Sequence, residues 1–403
     1  MASNQQTHGH KELEVGKFHA SNNLKTIAYA LLAIGLLTIV VGLMKNQERL
    51  WTSYLTSFFF FSCLGLGGLF FAALNHMVKA GWSVTVRRLS EAMSSFIPIM
   101  LIGSLVLIAG IKYLFPWANP EIVANDPLVA SKTAYLNVPF FIVRMLVFGV
   151  GCLIFKHFIV GGSLKQDHTG DEQITHRSVG LSIGFILFFS LLFSIFSVDL
   201  LMSLLPTWYS TIFGIYCFAG LFQATLAALG ILVVLLRRTG LVNGFITLEH
   251  QHDVMKFTKG FTVFWAYIAF SQFMLIWYAN IPEETEYYLM RSQNGWLGIS
   301  FALLIFRFIV PFLALLPRGL KRNDNHVLAV CTLILVMQYV DIYWMVYPNF
   351  YEGHLTFGFW EIGMMAFFGG LFLIRLIDFL TKNSLVPIRD PRLHEALKHT
   401  VTY

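Results

Sequence analysis

Charged residues are scarce in this chain of 403 residues, where Asp, Glu, Lys and Arg together make up 12%. Typical water-soluble domains carry roughly 25% charged residues, and the polar stretches present here are too short to form a separate soluble domain. The net charge of +6 does not indicate nucleic-acid binding, because most basic residues flank apolar segments. The composition therefore argues against both a soluble protein and a nucleic-acid-binding protein.

Cysteine and suitably placed histidine are also scarce. The four cysteines lie inside apolar segments and form no Cys-x-x-Cys pair, which argues against disulfides, iron–sulfur ligation and c-type haem. Histidines occur at segment ends and in loops, whereas a buried b-type haem needs facing histidines at mid-depth. We therefore expect the chain to have no metal or redox centre of its own.

Long apolar segments are what the chain has instead. Hydrophobic residues make up 56%, and runs of about 20 residues, enough to cross a bilayer, recur along nearly the whole sequence. Residues 1–23 are polar and lack the features of a signal peptide. The pattern predicts an all-α integral membrane protein with about ten transmembrane helices. They are expected at residues 25–44, 54–78, 96–115, 139–158, 178–201, 208–236, 257–281, 295–316, 326–347 and 357–380.

Lysine and arginine are distributed unevenly between the two sides of these segments. The side that carries both chain ends holds 20 of the 28 basic residues, the opposite loops hold four, and four lie within segments. By the positive-inside rule, both termini are expected in the cytoplasm. Arg87 and Arg88 are then positioned to touch anionic lipid headgroups.

Two short strings recur at intervals of four helices. Val-Asp followed by a proline seven residues after the acid occurs at Asp199 and at Asp341, and GGLF or AGLF occurs at 67–70, 219–222 and 369–372. Because four is even, equivalent helices keep one direction through the membrane, as in a parallel duplication. We predict two similar four-helix bundles plus flanking helices, although small-residue strings also arise from close helix packing alone. The predicted divisions are a cytoplasmic tail (1–23), a first flanking helix and bundle (24–205), a second bundle (206–350), and a last helix with a cytoplasmic tail (351–403).

Three acids lie inside apolar segments near the non-cytoplasmic side: Asp199, Asp341 and Glu361. A charge at the bilayer centre costs about 2.5–3.5 kcal/mol on insertion scales, so these acids are expected to be protonated or paired. Arg144 and Arg307 occupy corresponding helices of the proposed repeat, which predicts one acid–arginine pair in each bundle. Such pairs either handle protons or only lock helices together.

Further polar residues extend the set of candidates for a proton path or a quinol site. Gln338 is three residues from Asp341 and shares its helix face. Tyr278 belongs to a polar stripe of the seventh segment, and Glu283 and Glu284 stand at the outer end of that segment.

Proton uptake from the cytoplasm needs titratable groups at the other side of the membrane. His76 and His157 lie at the cytoplasmic ends of their segments and are the candidates for this role. Pro311 lies four residues after Arg307, so it leaves the Arg307 carbonyl without its helical N–H partner and should bend the eighth helix.

Two longer strings resemble family signatures. The first is DLLMSLLPTWYST at 199–211, followed by IFGIY, and the second is FWAYIAFSQF at 264–273, followed by MLIWYANIPEET. With ten spans and a doubled four-helix bundle, the chain resembles the second large membrane subunit of bacterial alternative complex III, a quinol:cytochrome c oxidoreductase. That family is related to the membrane subunits of polysulfide-reductase-type enzymes. Thr207 departs from the related strings, which have a histidine between this proline and tryptophan.

The resemblance implies a subunit of the bacterial inner membrane that supports quinol oxidation and proton movement, with menaquinone or ubiquinone as the quinone. Its partners would be a paralogous membrane subunit, an iron–sulfur subunit, multihaem cytochrome subunits and the surrounding lipids, since a chain without a redox centre needs others to carry electrons. Two other interpretations remain open. A proton-coupled secondary transporter is also built from repeats with acids and broken helices, and a structural anchor would use charged pairs only to hold helices together.

Overall fold

The computed structural model describes residues 15–351 and 354–400, and within those ranges it contains helices and connections but no β-strand. Ten helices are long and apolar enough to cross a membrane, which confirms the predicted ten-span helical fold. Residues 1–14 of the predicted N-terminal tail and 401–403 of the C-terminal tail lie outside the described residues. The ten helices are α1 (Asn22–Lys45), α2 (Gln47–Met77), α3 (Gly81–Leu114), α4 (Val138–Thr169), α5 (Glu172–Leu204), α6 (Phe213–Thr239), α7 (Leu248–Ala279), α8 (Trp296–Ala314), α9 (Asp324–Asn349) and α10 (Phe359–Lys382).

Several helices extend beyond their predicted apolar segments into flanking polar sequence. α4 ends where Gly170 adopts a left-handed conformation with φ of 68°. Asp171 then begins α5, because its carboxylate accepts the backbone N–H of Gln173 at 2.9 Å. Hydropathy locates the apolar part of a helix, whereas capping residues determine where the helix starts and stops.

Both ends of the described chain lie on one face of the molecule. Gly16 donates its backbone N–H to the Leu241 carbonyl, just after α6, at 2.9 Å. His399 lies 2.5 Å from Asp253, near the start of α7. We refer to this side as the terminal face and to the other as the opposite face. Odd-numbered helices run from the terminal face to the opposite face, and even-numbered helices run back.

Helices α2–α5 and α6–α9 form two rings of four with the same order of neighbours. In each ring the first helix packs against the second and the fourth, and the third helix packs against those same two. α2 and α6 also pack against each other and are the two most buried of the ten helices. α1 packs on α10, and α10 covers one side of α2. This arrangement agrees with the expected pair of four-helix bundles with flanking helices.

The repeated small-residue strings lie at these helix contacts. A Cβ atom built on Gly370 of α10 would lie 2.7 Å from the backbone nitrogen of Leu32 in α1. A Cβ atom on Gly220 of α6 would lie 2.8 Å from Nη2 of Arg307 and 2.9 Å from Oε1 of Gln338. Both distances are too short for a real Cβ contact. At Gly370 the obstacle is backbone, so glycine is needed for close packing, whereas at Gly220 a larger residue would displace the ends of the Arg307 and Gln338 side chains.

Arg87 and Arg88 are buried under the terminal face, so the expectation that they touch lipid headgroups is wrong. Arg87 Nη2 pairs with Asp390 Oδ2 at 2.6 Å, and Arg88 Nη2 pairs with Asp167 Oδ2 at 2.5 Å. Glu91 lies between the two arginines, 3.3 Å from Arg87 Nε and 3.1 Å from Arg88 Nη1. A buried guanidinium needs such carboxylate partners. Through Asp390, this cluster also fastens the C-terminal segment to α3.

Candidate functional site

Asp199, near the opposite-face end of α5, is buried and accepts three hydrogen bonds from two residues. Arg144 of α4 donates from Nε to Oδ2 at 2.6 Å and from Nη2 to Oδ1 at 3.1 Å, which is the bidentate geometry of a strong arginine–carboxylate pair. The hydroxyl of Tyr135 donates to Oδ1 at 3.1 Å. We call Arg144, Asp199 and Tyr135 triad 1.

Tyr135 lies in the connection before α4, outside the membrane-spanning helices, and is 36% exposed. Partial burial raises the pKa of Tyr135 to about 12, and the neighbouring Asp199 carboxylate contributes to this rise. The phenol therefore keeps its proton at neutral pH and acts as a hydrogen-bond donor to Asp199.

Asp341 of α9 lies in a second, buried group of the same composition. Nη1 of Arg307 in α8 lies 2.8 Å from Asp341 Oδ2, and the two side chains are 0% and 1% exposed. The hydroxyl of Tyr216 in α6 donates to Asp341 Oδ1. Arg307 also donates to the side-chain oxygen of Gln338 and, at 3.2 Å, to the Met337 carbonyl. We call Arg307, Asp341 and Tyr216 triad 2.

Glu361, at the opposite-face end of α10, forms a third group of this kind. Arg49 of α2 donates from Nε to Oε1 at 3.0 Å and from Nη2 to Oε2 at 3.1 Å. The hydroxyl of Tyr347 donates to Oε1 at 2.7 Å, and the backbone N–H of Gly358 donates to Oε2 at 2.6 Å. We call Arg49, Glu361 and Tyr347 triad 3.

The predicted pairing of one acid with one arginine in each bundle is present in triads 1 and 2. The three tyrosines and Arg49 were missed by the sequence reasoning. The tyrosines approach from other elements, and no spacing in the sequence marks them. Arg49 carried a usable signal, because it is one of only four basic residues in the opposite-face loops, where few are expected.

The helix around Arg307 departs from α-helical geometry. Residues Leu303–Ile309 of α8 form a π-helical stretch, and Pro311 lies two residues beyond its end. The irregularity here is a π-helical turn, and Pro311 offers no N–H to the Arg307 carbonyl. The bend itself stays a prediction. Gly220 of α6 leaves room for the guanidinium on the neighbouring helix. Together these features place a long cationic side chain between α6 and α9.

A cavity of about 630 Å³ lies beside triad 2, between α7, α8 and the short helix Pro282–Met290. Tyr216 and Trp265 border it where it meets the triad. The Tyr216 hydroxyl bonds to Asp341, and the Arg307 guanidinium lies over the Trp265 ring, 4.3 Å from its centre. Small-molecule sites occupy about 300–1,000 Å³. A ligand in this cavity would therefore reach the triad through Tyr216.

The cavity opens sideways between α7 and α8. Phe270 and Trp277 of α7, and Phe301 and Leu304 of α8, line it and are between 48% and 67% exposed on the surface of the molecule. That surface belongs to the apolar, membrane-spanning part of both helices. A ligand would consequently enter from the bilayer, and an apolar tail could remain between the lipids.

Triad 1 has a smaller space beside it. A pocket of about 240 Å³ at the opposite face borders Tyr135 and is also lined by Lys132, Pro206 and Trp208. Lys132 Nζ donates to the Pro206 carbonyl at 2.5 Å. This pocket lies at the end of the membrane-spanning part, where Tyr135 connects it to Asp199.

The remaining candidates are spread over the molecule. Tyr278 is 81% exposed on the outer surface of α7. Glu283 is exposed and Glu284 half-buried on the short helix at the opposite face. Toward the terminal face, His76 is buried with neither ring nitrogen hydrogen-bonded within the described residues, while His157 is exposed. The structure does not bring these residues into one group with the triads, and their roles stay predictions.

Comparison with known protein families finds no matching family model, and no curated protein matches the sequence at a significant level. Among residues 15–351 and 354–400, no group of three or more His, Cys, Asp and Glu side chains is arranged to hold a metal ion. The composition of the triads favours proton chemistry. Each triad offers a carboxylate, a hydroxyl that can relay a proton, and a fixed cation that stabilises the charged form of the acid.

The triads should behave as units in stability measurements. Replacing Arg144 with Leu leaves Asp199 buried without its cation, and breaking such a pair costs about 3–5 kcal/mol. We expect Arg144→Leu to lose stability of this size in denaturation of the purified protein. The double variant Arg144→Leu/Asp199→Asn should regain more than half of it. Lys382→Leu, which breaks the exposed pair with Asp378, should have little effect. A double variant as unstable as the single one would show that the pair is not coupled.

Proposed function

We propose that this chain is the quinol-binding membrane subunit of a bacterial respiratory quinol:acceptor oxidoreductase and has no redox centre of its own. The observation that carries the proposal is the cavity that meets a buried acid–arginine–tyrosine triad through Tyr216. A site for proton-coupled oxidation needs a place for the substrate and a proton acceptor within hydrogen-bond reach. Triad 2 and its cavity offer both.

The shape of the cavity suits an amphiphile with an aromatic head and a long apolar tail. Trp265, Phe273 and Trp344 line the cavity with rings that can stack on a flat headgroup. The lateral mouth between α7 and α8 would let an isoprenoid tail remain in the bilayer. Menaquinol and ubiquinol share this architecture.

The resemblance noted in the sequence supports the same site. The string at 264–273 supplies Trp265, Ala266, Ala269, Phe270, Gln272 and Phe273, all of which line the cavity. The resemblance to alternative complex III therefore rests on residues that form a ligand-sized space. In that setting the partners would be an iron–sulfur subunit, multihaem cytochrome subunits and a paralogous membrane subunit.

The proposed chemistry assigns separate routes to protons and electrons. Oxidation of one quinol to quinone releases two protons and two electrons. A quinol hydroxyl at Tyr216 gives its proton to the phenol oxygen while Tyr216 gives its own proton to Asp341. The electrons pass to an iron–sulfur or haem centre of a partner subunit. Asp341, held by Arg307, then releases its proton toward the opposite face. The second hydroxyl, at the other end of the ring, gives its proton to water at that face.

Triads 1 and 3 lie near the same face and are the candidates for later steps of proton release. Asp199 is linked through Tyr135 to the pocket at the opposite face. Glu361 pairs with Arg49, whose side chain is 22% exposed. Glu283 and Glu284, on the short helix at this face, are further candidates for the exit or for contact with a partner.

Replacing Asp341 with Asn tests the proposal directly. The amide keeps the shape of the acid but cannot take up the proton, and loss of a general base typically slows a reaction by about 10²–10⁴-fold. We expect quinol-dependent cytochrome reduction by the assembled complex, followed by absorbance with decylubiquinol as substrate, to fall by about this factor.

The matched control is Asp378→Asn, because Asp378 is an acid of α10 that belongs to no triad and is 39% exposed. This variant should keep the wild-type rate. Full turnover and an unchanged proton yield in Asp341→Asn would refute the role of Asp341, and the triads would then act only as helix locks.

We also propose that the terminal face is cytoplasmic, since the excess of basic residues lies on that side. The native thiols are buried, so an introduced exposed cysteine can be labelled selectively. Glu286→Cys at the opposite face should react with a membrane-impermeant maleimide in intact spheroplasts. Glu172→Cys at the terminal face should react only after the membrane is opened. The reverse pattern would invert the proposed topology.

A further inference from the structure

One buried amide in the cavity wall has an oxygen without a hydrogen-bond partner. Gln272 of α7 lines the cavity and is 3% exposed, and its Oε1 atom accepts no hydrogen bond from the described residues. A buried polar atom left unpaired destabilises a protein. The amide also contacts the Tyr288 hydroxyl. Its position at the wall of a ligand-sized space leaves Oε1 available to a donor of a bound molecule.

A buried cation lies in the same wall. Arg291, between the short helix Pro282–Met290 and α8, lines the cavity and is 1% exposed. Within the described residues, tyrosines and no carboxylate are the titratable neighbours of its guanidinium. Its guanidinium carbon lies 3.4 Å from the centre of the Tyr287 ring and 5.1 Å from that of Trp344. Burying a guanidinium without a paired carboxylate is unfavourable unless other groups stabilise its positive charge.

Three carbonyls account for part of the hydrogen-bonding capacity of Arg291. Nε donates to the Trp344 carbonyl at 3.1 Å, Nη1 to the Tyr287 carbonyl at 2.7 Å, and Nη2 to the Met345 carbonyl at 2.8 Å. A guanidinium has five N–H groups, so two have no carbonyl partner, and the Tyr287 side chain also lies within reach of the guanidinium. The carbonyls of Trp344 and Met345 belong to the last turn of α9, and Arg291 thus also caps that helix. Capping alone does not require the residue to border a cavity.

The two residues lie away from the triad end of the cavity. Gln272 follows Trp265 by seven residues on α7, which is two helical turns or about 10 Å toward the opposite face. Tyr216 and Trp265 border the triad end. Arg291 directly follows the short helix Pro282–Met290, which joins α7 to α8 at the opposite face. A hydroquinone ring carries its two oxygens at opposite ends. One oxygen can therefore face Tyr216 while the other faces Gln272 and Arg291.

We propose that Gln272 and Arg291 hold the quinol oxygen that points away from Tyr216, and so fix the orientation of the headgroup. The Gln272 oxygen accepts a hydrogen bond from the hydroxyl of the reduced form. An N–H group of Arg291 that has no carbonyl partner donates to the carbonyl of the oxidised form. This assignment rests on the proposed quinol-binding function and adds the residues that recognise the second oxygen.

The test measures binding of a quinol analogue to the assembled complex. The probe is a fluorescent hydroxyquinoline N-oxide with an alkyl tail, and its fluorescence is followed during titration. Because loss of one hydrogen bond to a ligand corresponds to about a tenfold change in Kd, Gln272→Leu should raise Kd about tenfold. The KM for decylubiquinol should rise by a similar factor, with kcat changed much less.

The matched control is Gln223→Leu. Gln223 of α6 is also a fully buried glutamine of the second bundle with an unpaired Oε1, but it does not line the cavity. This variant should bind the probe with the wild-type Kd. Arg291→Lys keeps the charge but loses the planar fork of the guanidinium. It should therefore also raise the Kd of the probe. If Arg291→Lys does not assemble, Gln272→Leu decides alone.

The outcomes separate this inference from the proposed function. An unchanged Kd and KM in Gln272→Leu, with a wild-type complex that binds the probe, would overturn the assignment of Gln272 and Arg291 and leave the quinol site itself standing. A wild-type complex that does not bind the probe, or that retains a phospholipid in the cavity against an excess of it, would overturn both. An equal weakening in Gln223→Leu would also overturn the assignment, because the effect would then not come from the cavity.

Discussion

A carboxylate inside an apolar helix must be matched by a cation and a hydroxyl, and this requirement fixes how the helices of the two bundles meet. Triad 1 joins α4 to α5, triad 2 joins α6, α8 and α9, and triad 3 joins α2 to α9 and α10. In hydrocarbon an unpaired acid is costly, so each contact constrains the rotation and depth of its helices. The π-helical turn around Arg307 and the glycine at position 220 are local adjustments to the same constraint.

The three triads share a composition but differ in how they are reached. The arginine side chains of triads 1 and 3 are 8% and 22% exposed, whereas that of triad 2 is fully buried. In the described structure, the large cavity meets triad 2 at Tyr216 and opens toward the bilayer. Asp341 is buried away from water, so it exchanges protons only with its immediate neighbours. This difference is why we place the quinol at triad 2, and why we assign proton release to the triads nearer the surface.

Much of the fold was predictable, because hydropathy and charge bias act over whole segments. The lengths of the apolar runs predicted the ten spans. The strings repeated every four helices predicted the two rings and the pairs Arg144–Asp199 and Arg307–Asp341. The tyrosines were not predictable, since Tyr135 comes from a connecting loop and Tyr216 from a helix far away in sequence. Arg87 and Arg88 were misassigned, because a positive charge near a helix end looks the same in sequence whether it faces lipid or a buried acid. The cavity depends on the side-chain packing of three elements, which no local pattern encodes.

The most direct measurement is a structure of the assembled complex with a bound quinone, at a resolution that shows the orientation of the ring. We predict density for the headgroup between α7 and α8, with one ring oxygen at hydrogen-bond distance, about 2.6–3.2 Å, from the Tyr216 hydroxyl and with the tail in the bilayer. A quinone bound elsewhere, with lipid acyl chains or a partner's helix filling this cavity, would contradict the assignment of triad 2 as the proton acceptor.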